Sequence, residues 1–440
     1  MIVELNPNLH NLHNTMCFKT WNDIVISLPQ RTVKWCCKTE YTDEQIKQLT
    51  FNYDTLTEEF LFNHPILQQR KYDLSGGTHN KDCEQCWKTE QAGGNSVRTE
   101  YMKNYDYHLH KQYVKSKSHP KRRIQFHKDM MALDNFKFIE VELTNKCNMA
   151  CAYCWAGSST RWQKEIGKRF PDTDDAMFDK LLVILNEYWL KALKDKHHVN
   201  FSLLGGEPFF TDHMYRFIEN FMVNINDTKR KDQIVVITVT TNLNFPKHKF
   251  DKFIELVKRT PNIRYEMQLS GEALGRKSEL IRWGLDYNKW DDNLNLFFKQ
   301  AKEIDNLILG FGCAHNSLSL PYFKDFLVHL NDKINKFEFD KDIIMHQNWV
   351  DKPEHLAVSA LDPKHADKID EQIEYFKNMP GKFVNKQKYV STLLTIKALV
   401  ESKVPDNTKK SAEFQFKMLE DRRKISFAEH FPHFDELVNI

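Results

Sequence analysis

Cys147-Asn-Met-Ala-Cys151-Ala-Tyr-Cys154 puts three thiols on one short stretch of chain. The residues before it, Phe136–Leu143, read as a β-strand, so the cysteines fall on the loop that follows a strand. Three thiolates on one loop can hold three corners of a cubane iron–sulfur cluster and leave one iron open. An open position is what a catalytic metal needs. A structural zinc site is closed by a fourth ligand, and none lies nearby in sequence. The chain has nine cysteines, an odd number, at 17, 36, 37, 83, 86, 147, 151, 154 and 313. Metal binding explains them better than disulfides do.

Outward from this loop, strands and helices alternate. Strands are expected at Phe136–Leu143, Val199–Leu204, Ile234–Thr241, Ile263–Ser270, Leu307–Cys313 and Phe337–Met345. Helices are expected between them at Asp174–Leu193, Asp212–Asn224, Lys247–Lys258, Asn293–Ile304 and Tyr322–Asp332. This rhythm predicts an α/β fold with a parallel sheet built from βα units. Several strands carry one polar face: Glu140 and Glu142; Asn200 and Ser202; Thr238, Thr240 and Asn242; Glu266, Gln268 and Ser270. Alternate residues, such as Val235, Ile237 and Val239, or Tyr265, Met267 and Leu269, are apolar. In a parallel barrel the apolar face meets the outer helices and the polar face lines the lumen. Glu266 and Gln268 are therefore expected to face a cavity that takes a polar ligand. Edge strands with one solvated face are the alternative.

Residues 1–130 read as a separate unit. Thr15–Ser27 and Thr32–Lys38 are expected to form a β-hairpin turning at Pro29-Gln30. Helices follow near Asp43–Thr50 and Thr57–Tyr72, then a polar segment with Cys83-x2-Cys86 and a basic linker over Lys111–Lys128. Cys36 and Cys37 should point to opposite faces, so one of them joins Cys17, Cys83 and Cys86. Residues from Asp362 onward read as helical, broken at Pro380, Pro405 and Pro432.

Composition narrows the function classes. The 63 basic and 60 acidic residues leave a net charge of +3, which argues against nucleic acid as a bulk partner. No apolar run approaches the ~18–20 residues of a membrane span. The opening Met-Ile-Val-Glu-Leu-Asn-Pro-Asn lacks the pattern of a signal peptide, so a cytoplasmic location is expected. With 14 glycines in the chain, the pairs Gly76-Gly77, Gly93-Gly94 and Gly205-Gly206 each mark backbone that needs freedom. The 19 histidines show no metal-binding spacing, and Cys313 reads as a buried hydrophobe.

The C-x3-C-x2-C spacing, with Tyr153 before the last cysteine, resembles the radical S-adenosylmethionine (SAM) signature. Gly205-Gly206-Glu207-Pro208, at the end of the second strand, resembles that family's GGEP motif. The resemblance implies a partial (β/α)6 parallel barrel over 131–350, carrying a SAM-binding [4Fe-4S] cluster on Cys147, Cys151 and Cys154. It implies that SAM is cleaved to methionine and a 5′-deoxyadenosyl radical, which abstracts hydrogen from a substrate. The GGEP backbone and Glu207 are then expected to meet the SAM ammonium. Thr240-Thr241-Asn242 and Ser270-Gly271-Glu272 resemble the contacts to the SAM ribose and carboxylate, with Arg282 a candidate carboxylate partner. The pattern departs at Leu243, where relatives often have glycine.

The N-terminal cysteines resemble the SPASM/twitch auxiliary-cluster domain, here placed before the core. The matching run is Cys17-x3-Trp21, Cys36-Cys37, Cys83-x2-Cys86-Trp87, Glu90, Gly94, Ser96 and Arg98. Cys36 is favoured over Cys37, and Gln30-Arg31 stands where a hairpin glycine is usual. The 351–440 extension, with Asp421-Arg422 and Phe431-Pro432, is similar to the same type. The expected cofactors are SAM, a [4Fe-4S] cluster and an auxiliary [4Fe-4S] cluster. The expected partners are a small polar or peptide substrate and a reductant such as flavodoxin or ferredoxin. The alternative is a non-enzymatic zinc or iron–sulfur interaction protein.

Overall fold

The structure is a computed structural model that describes residues 8, 11–91, 96–104, 107–133, 136–194, 198–225, 235–402 and 406–438. Gly93, Gly94, Ile234 and Pro405 lie outside the described residues. Among the described residues the strands are β1 (Asp23–Ser27), β2 (Thr32–Lys34), β3 (Phe138–Glu142), β4 (Ala150–Cys151), β5 (Val199–Leu204) and β6 (Val235–Thr241). They continue as β7 (Ile263–Ser270), β8 (Arg282–Trp283), β9 (Leu307–His315), β10 (Asp342–Trp349) and β11 (Lys382–Phe383). The architecture is mixed α/β with mostly parallel strands. The chain divides into two compact units. The first is Met1–Leu143, Asp172–Ser202 and Arg230–Val235; the second is Thr144–Pro171, Leu203–Lys229 and Val236–Ile440.

In the first unit the strand order is β5-β3-β1-β2. β1 pairs antiparallel with β2 and parallel with β3, with Val25 opposite Glu140. The expected hairpin is real but both arms are shorter: β1 starts at Asp23, and β2 ends at Lys34, so Cys36 and Cys37 lie beyond the strand and its alternation does not set their faces. Leu12–Thr15 and Lys19–Asn22 are helical, because Leu12, Met16, Phe18 and Trp21 gather into a core with Leu74, Trp87, Phe126 and Met130. The hairpin turn carries Arg31 at φ 56, a left-handed conformation without glycine. The helix expected over Thr57–Tyr72 is two, Glu58–Phe62 and Pro65–Gly76, with Pro65 starting the second and Gly77 at φ 88 ending it. The basic stretch is no linker. It forms helices Tyr107–Ser116 and Pro120–Ala132, whose Tyr113, Phe126 and Met130 face the core while the cations stay outside.

In the second unit β6, β7, β9, β10 and β11 follow one another in that order, and β7, β9, β10 and β11 run parallel. Helices Lys247–Arg259, Tyr287–Glu303 and Phe323–Lys336 join consecutive strands, as the rhythm predicts. Asp286 caps the second of these by accepting from the Lys289 amide at 3.1 Å, so it begins before the expected Asn293. The last expected strand shifts to Asp342–Trp349, because the preceding helix runs to Lys336 and Glu338 turns the chain at φ 46. Residues 366–378, 386–401, 406–423 and 434–438 are helical, in line with the expected C-terminal segment.

One buried ion pair ties helix Pro65–Gly76 to the segment that carries Cys83. Arg70, wholly buried, donates to Asp82 Oδ2 at 2.8 Å and to the Tyr41 hydroxyl at 2.8 Å. Removing one member of such a pair leaves an uncompensated buried charge, which costs about 3–5 kcal/mol. Asp82→Ala is therefore expected to lower the stability of the first unit by that amount in a denaturant titration. A midpoint unchanged from the parent would contradict it.

Candidate active site

The cysteine loop that follows β3 has only a two-residue ladder to satisfy its backbone, and side chains do most of that work instead. The Asn145 carbonyl accepts from the Thr160 amide at 2.9 Å, and the Lys146 carbonyl from the Glu207 amide at 2.9 Å. The Cys147 carbonyl accepts from the Thr160 hydroxyl at 3.1 Å and the Asn148 carbonyl from Arg161 at 3.2 Å. Ser159 donates to the Met149 carbonyl at 2.5 Å, and Arg423 to the Ala150 carbonyl at 2.9 Å. The Cys151 carbonyl accepts from the Trp162 indole at 2.8 Å and from the Cys154 amide at 3.0 Å. Each carbonyl from residue 145 to residue 151 is thus held. β4, inside the loop, also pairs with β8, with Cys151 opposite Arg282. A loop fixed this firmly holds its three sulfurs near enough to one another to interact electrostatically.

The Gly205-Gly206 turn rests directly on this loop. Gly205 and Gly206 have φ 91 and 50, and a Cβ on Gly206 would sit 2.4 Å from the Lys146 carbonyl oxygen. Only glycine permits both the conformation and the approach. Glu207 is fully buried and caps the short helix Pro208–Phe210. Its carboxylate accepts from the Thr241 hydroxyl at 2.8 Å, the Asn242 amide at 2.7 Å and the Phe209 amide at 3.2 Å. Burial raises its pKa from 4.5 to about 7. The expected ligand carboxylate is thus committed to joining the ends of β5 and β6.

Asn242 reaches the cysteine loop, donating to Asn148 Oδ1 at 2.9 Å and to the Cys147 sulfur at 3.8 Å. Leu243, the expected point of departure from the resembled pattern, adopts φ 60 while fully buried. This left-handed conformation costs about 1–2 kcal/mol for an L-residue. Asn293 holds it by donating to the Leu243 carbonyl at 2.8 Å. Thr240 donates to Gln268 at 2.6 Å. Arg282, expected as a carboxylate partner, already has one: its Nε lies 3.0 Å from Glu272 Oε1. The Tyr153 hydroxyl donates to the same oxygen at 3.1 Å. Tyr153, half-buried, and the buried Glu272 and Arg282 therefore form one cluster beside Cys151, and Ser270 presents its carbonyl to the Trp290 indole at 2.9 Å.

Burial pushes the Cys147 thiol well up, and the neighbouring Cys151 and Cys154 charges add to it. Burial raises Cys151 too, with Arg282 and Arg423 pulling against it. Buried thiols that resist bearing charge alone, as Cys147 and Cys151 do, suit a cation-rich group, which favours thiolate. The chemistry of the loop fits a cluster bound by Cys147, Cys151 and Cys154.

The first unit gathers its own cysteines. Cys17, Cys36, Cys83 and Cys86 line one cavity, and Cys37 is exposed and outside that lining. Burial and the charges of Cys83 and Cys86 raise Cys17 to about 12, and burial raises Cys83 to about 11. Among the described residues no three His, Cys, Asp or Glu side chains are close enough to hold a single metal ion. The four cysteines surround a space.

The polar strand faces have the expected phase in the second unit. Tyr265 packs on Phe253 of helix Lys247–Arg259, whereas Glu266 and Gln268 lie on the opposite face. Burial raises Glu266 above its ordinary value, against the pull of Arg264. On the same face His346 lies over Gly310, where a Cβ would come within 2.6 Å of its Nε2. Cys313 is buried, as expected of a hydrophobe. Arg423, Ser159, Thr160 and Trp162 are not legible as site residues in the sequence. Their contacts are to backbone, which carries no residue-type signal.

Glu207→Gln is expected to cost ~1–3 kcal/mol of stability, since an amide cannot accept all three bonds. The wild-type folded state also holds the Glu207 proton more tightly than the unfolded chain. Stability from this group is present below pH 4.5 and is lost as pH rises toward about 7. The Gln variant should lack that component in pH-dependent melts, and an unchanged pH profile would contradict it.

Residues 141–312 match the family model described as the Radical SAM superfamily. No curated protein matches the chain. Among solved structures, the hexahistidine-tagged form of anSMEcpe with bound AdoMet aligns at 16% identity and TM-score 0.37, covering 54% of this chain and 59% of that one. Native anSMEcpe with bound AdoMet aligns at 16% identity and TM-score 0.37, over 55% of this chain and 60% of that one. The native form with AdoMet and the Cp18Cys peptide aligns at 18% and 0.35, over 56% and 62%. The alignments thus span about three-fifths of those chains. Among the described residues no helix is long and apolar enough to cross a membrane. The chain carries a radical SAM superfamily domain over residues 141–312.

Proposed function

We propose that this chain is a radical SAM enzyme acting on a polar substrate such as a peptide side chain, sugar or nucleotide. The observation that carries the reading is the cysteine loop. Its backbone carbonyls from residue 145 to residue 151 are all held, its Cys147 sulfur feels the charges of Cys151 and Cys154, and it lies within the residues that match the family model. When bound, a [4Fe-4S] cluster supplies the electron that cleaves SAM reductively to methionine and a 5′-deoxyadenosyl radical. Cys147, Cys151 and Cys154 hold that cluster. The carbonyls of Gly205 and Gly206 accept from the SAM ammonium, an interaction that needs acceptors. Glu207 fixes the turn that presents them. Thr240, Asn242 and Ser270 line the ribose and carboxylate side, and the Tyr153–Glu272–Arg282 cluster shapes the floor beneath.

The finer architecture belongs to the same proposal. Residues 131–350 form a partial (β/α)6 barrel with SAM at the C-terminal strand ends. Residues 1–130 form a twitch-like domain, and 351–440 a helical extension. The polar faces of β6, β7 and β10 form the wall against which the substrate binds. Cys17, Cys36, Cys83 and Cys86 hold an auxiliary [4Fe-4S] cluster, supported by the cavity that all four line. A flavodoxin or ferredoxin in the cytoplasm delivers the electron.

Cys151→Ala, reconstituted anaerobically with iron and sulfide, is expected to form no 5′-deoxyadenosine from SAM. Formation at the parent rate would refute the catalytic-cluster reading. Cys83→Ala/Cys86→Ala is expected to lose the iron of the auxiliary site and still cleave SAM, while failing to convert the true substrate. Full iron content in that double variant, by colorimetric assay, would refute the auxiliary-cluster reading alone.

A further inference from the structure

The cavity lined by Cys17, Cys36, Cys83 and Cys86 has a charge pattern that its thiols do not explain. Lys19, Lys38 and Arg98 also line it, and among the described residues no carboxylate does. Lys19 and Arg98 are each 8% exposed. Burying a cation costs several kcal/mol unless it is well paired. Both are paired. Lys19 Nζ is bonded to Asp23 and lies 3.3 Å from the Tyr101 hydroxyl, which itself donates to Asp23 at 3.1 Å. Arg98 Nε donates to Glu90 at 2.9 Å and Nη1 to the Met16 carbonyl at 3.0 Å. In each pair the cation lines the cavity, whereas Asp23 and Glu90 stand outside the lining. Arg98 is further fixed over the Trp87 ring at 4.7 Å, and the Ser96 hydroxyl donates to Glu90.

Two ion pairs whose basic residues line the thiol cavity, while their carboxylates do not, present a fixed field. Packing alone does not require the basic member of each pair to be the one at the cavity. We propose that Lys19 and Arg98 are positioning residues that raise the reduction potential of the auxiliary cluster, an inference that rests on the auxiliary-cluster reading above. Four thiolates outweigh the charge of an iron–sulfur core, so the ligated group is anionic and becomes more so on reduction. Fixed cations beside it stabilise the reduced form more than the oxidised form. Net charge and hydrogen bonding around the sulfurs are established determinants of cluster potential. Burial keeps these charges from being screened by salt.

The test uses the full chain in a Cys147→Ala/Cys151→Ala/Cys154→Ala background, so that any remaining iron belongs to the N-terminal site. After reconstitution, the midpoint potential is read by a redox titration followed by electron paramagnetic resonance. Lys19→Met with Asp23→Asn removes the pair without leaving a buried charge. This variant is expected to keep its iron and to titrate at a more negative potential, whereas Lys19→Arg stays near the parent. Arg98→Gln with Glu90→Gln provides an independent comparison against Arg98→Lys. Cluster-loaded variants that titrate at the parent potential would overturn the inference, as would charge-conserving variants that shift as far as the charge-removing ones. If the background protein takes up no iron, or takes up zinc in its place, the auxiliary-cluster reading itself fails.

Discussion

The backbone of the cysteine loop cannot satisfy itself, and much of the second unit is arranged around that fact. Apart from the two residues of β4, the loop that carries Cys147, Cys151 and Cys154 forms neither helix nor ladder. Its carbonyls must nevertheless be paired once buried. They are paired by Ser159, Thr160, Arg161 and Trp162 from the helix that follows, by Glu207 from the glycine turn, and by Arg423 from near the C-terminus. Arg423 lies against the Trp162 and Trp283 rings and is also held by Glu165, so the helix ending there is locked to the loop. This is why a segment remote in sequence belongs to the site.

The same constraint explains the backbone conformations nearby. Gly206 has to approach the Lys146 carbonyl more closely than a side chain allows, and Gly284 has to pass the Asn148 carbonyl, which a Cβ would meet at 2.7 Å. At Leu243 the chain takes the left-handed turn without glycine and accepts the strain. The apolar side chain is fully buried, and Asn293 secures the turn from both sides by also donating to the Phe245 carbonyl at 3.0 Å. Glu207, bonded to the strand end that carries Asn242, passes the position of one loop to the next. The polar side chains of this region are therefore mostly committed to the protein.

How much of this is legible in the sequence follows from the type of signal. The spacing of Cys147, Cys151 and Cys154 survives any register error, because all three lie on one segment. The alternation in Ile263–Ser270 correctly separates Tyr265 and Met267 from Glu266 and Gln268, since a strand has only two faces. The residues before Asp23 mislead, because Phe18 and Trp21 suit a strand as well as a helix and only the core around them decides. The onset of β10 is also hidden, as the helix before it ends on a non-glycine turn at Glu338. The basic run of 111–128 looks solvated because its cations outnumber the few residues that reach the core. The partners of Glu207 and Arg282 lie beyond reach. A motif names an acid or a base, and it takes coordinates to show that each is already paired.

The central claim is that Cys147, Cys151 and Cys154 hold a cluster with one iron open to SAM. The most direct measurement is the electron paramagnetic resonance spectrum of the reduced, reconstituted protein lacking Cys17, Cys83 and Cys86, recorded with and without SAM. The account predicts a cluster signal whose g-values shift when SAM is added, since SAM becomes a ligand. A reduced cluster whose spectrum is identical with and without saturating SAM would contradict it.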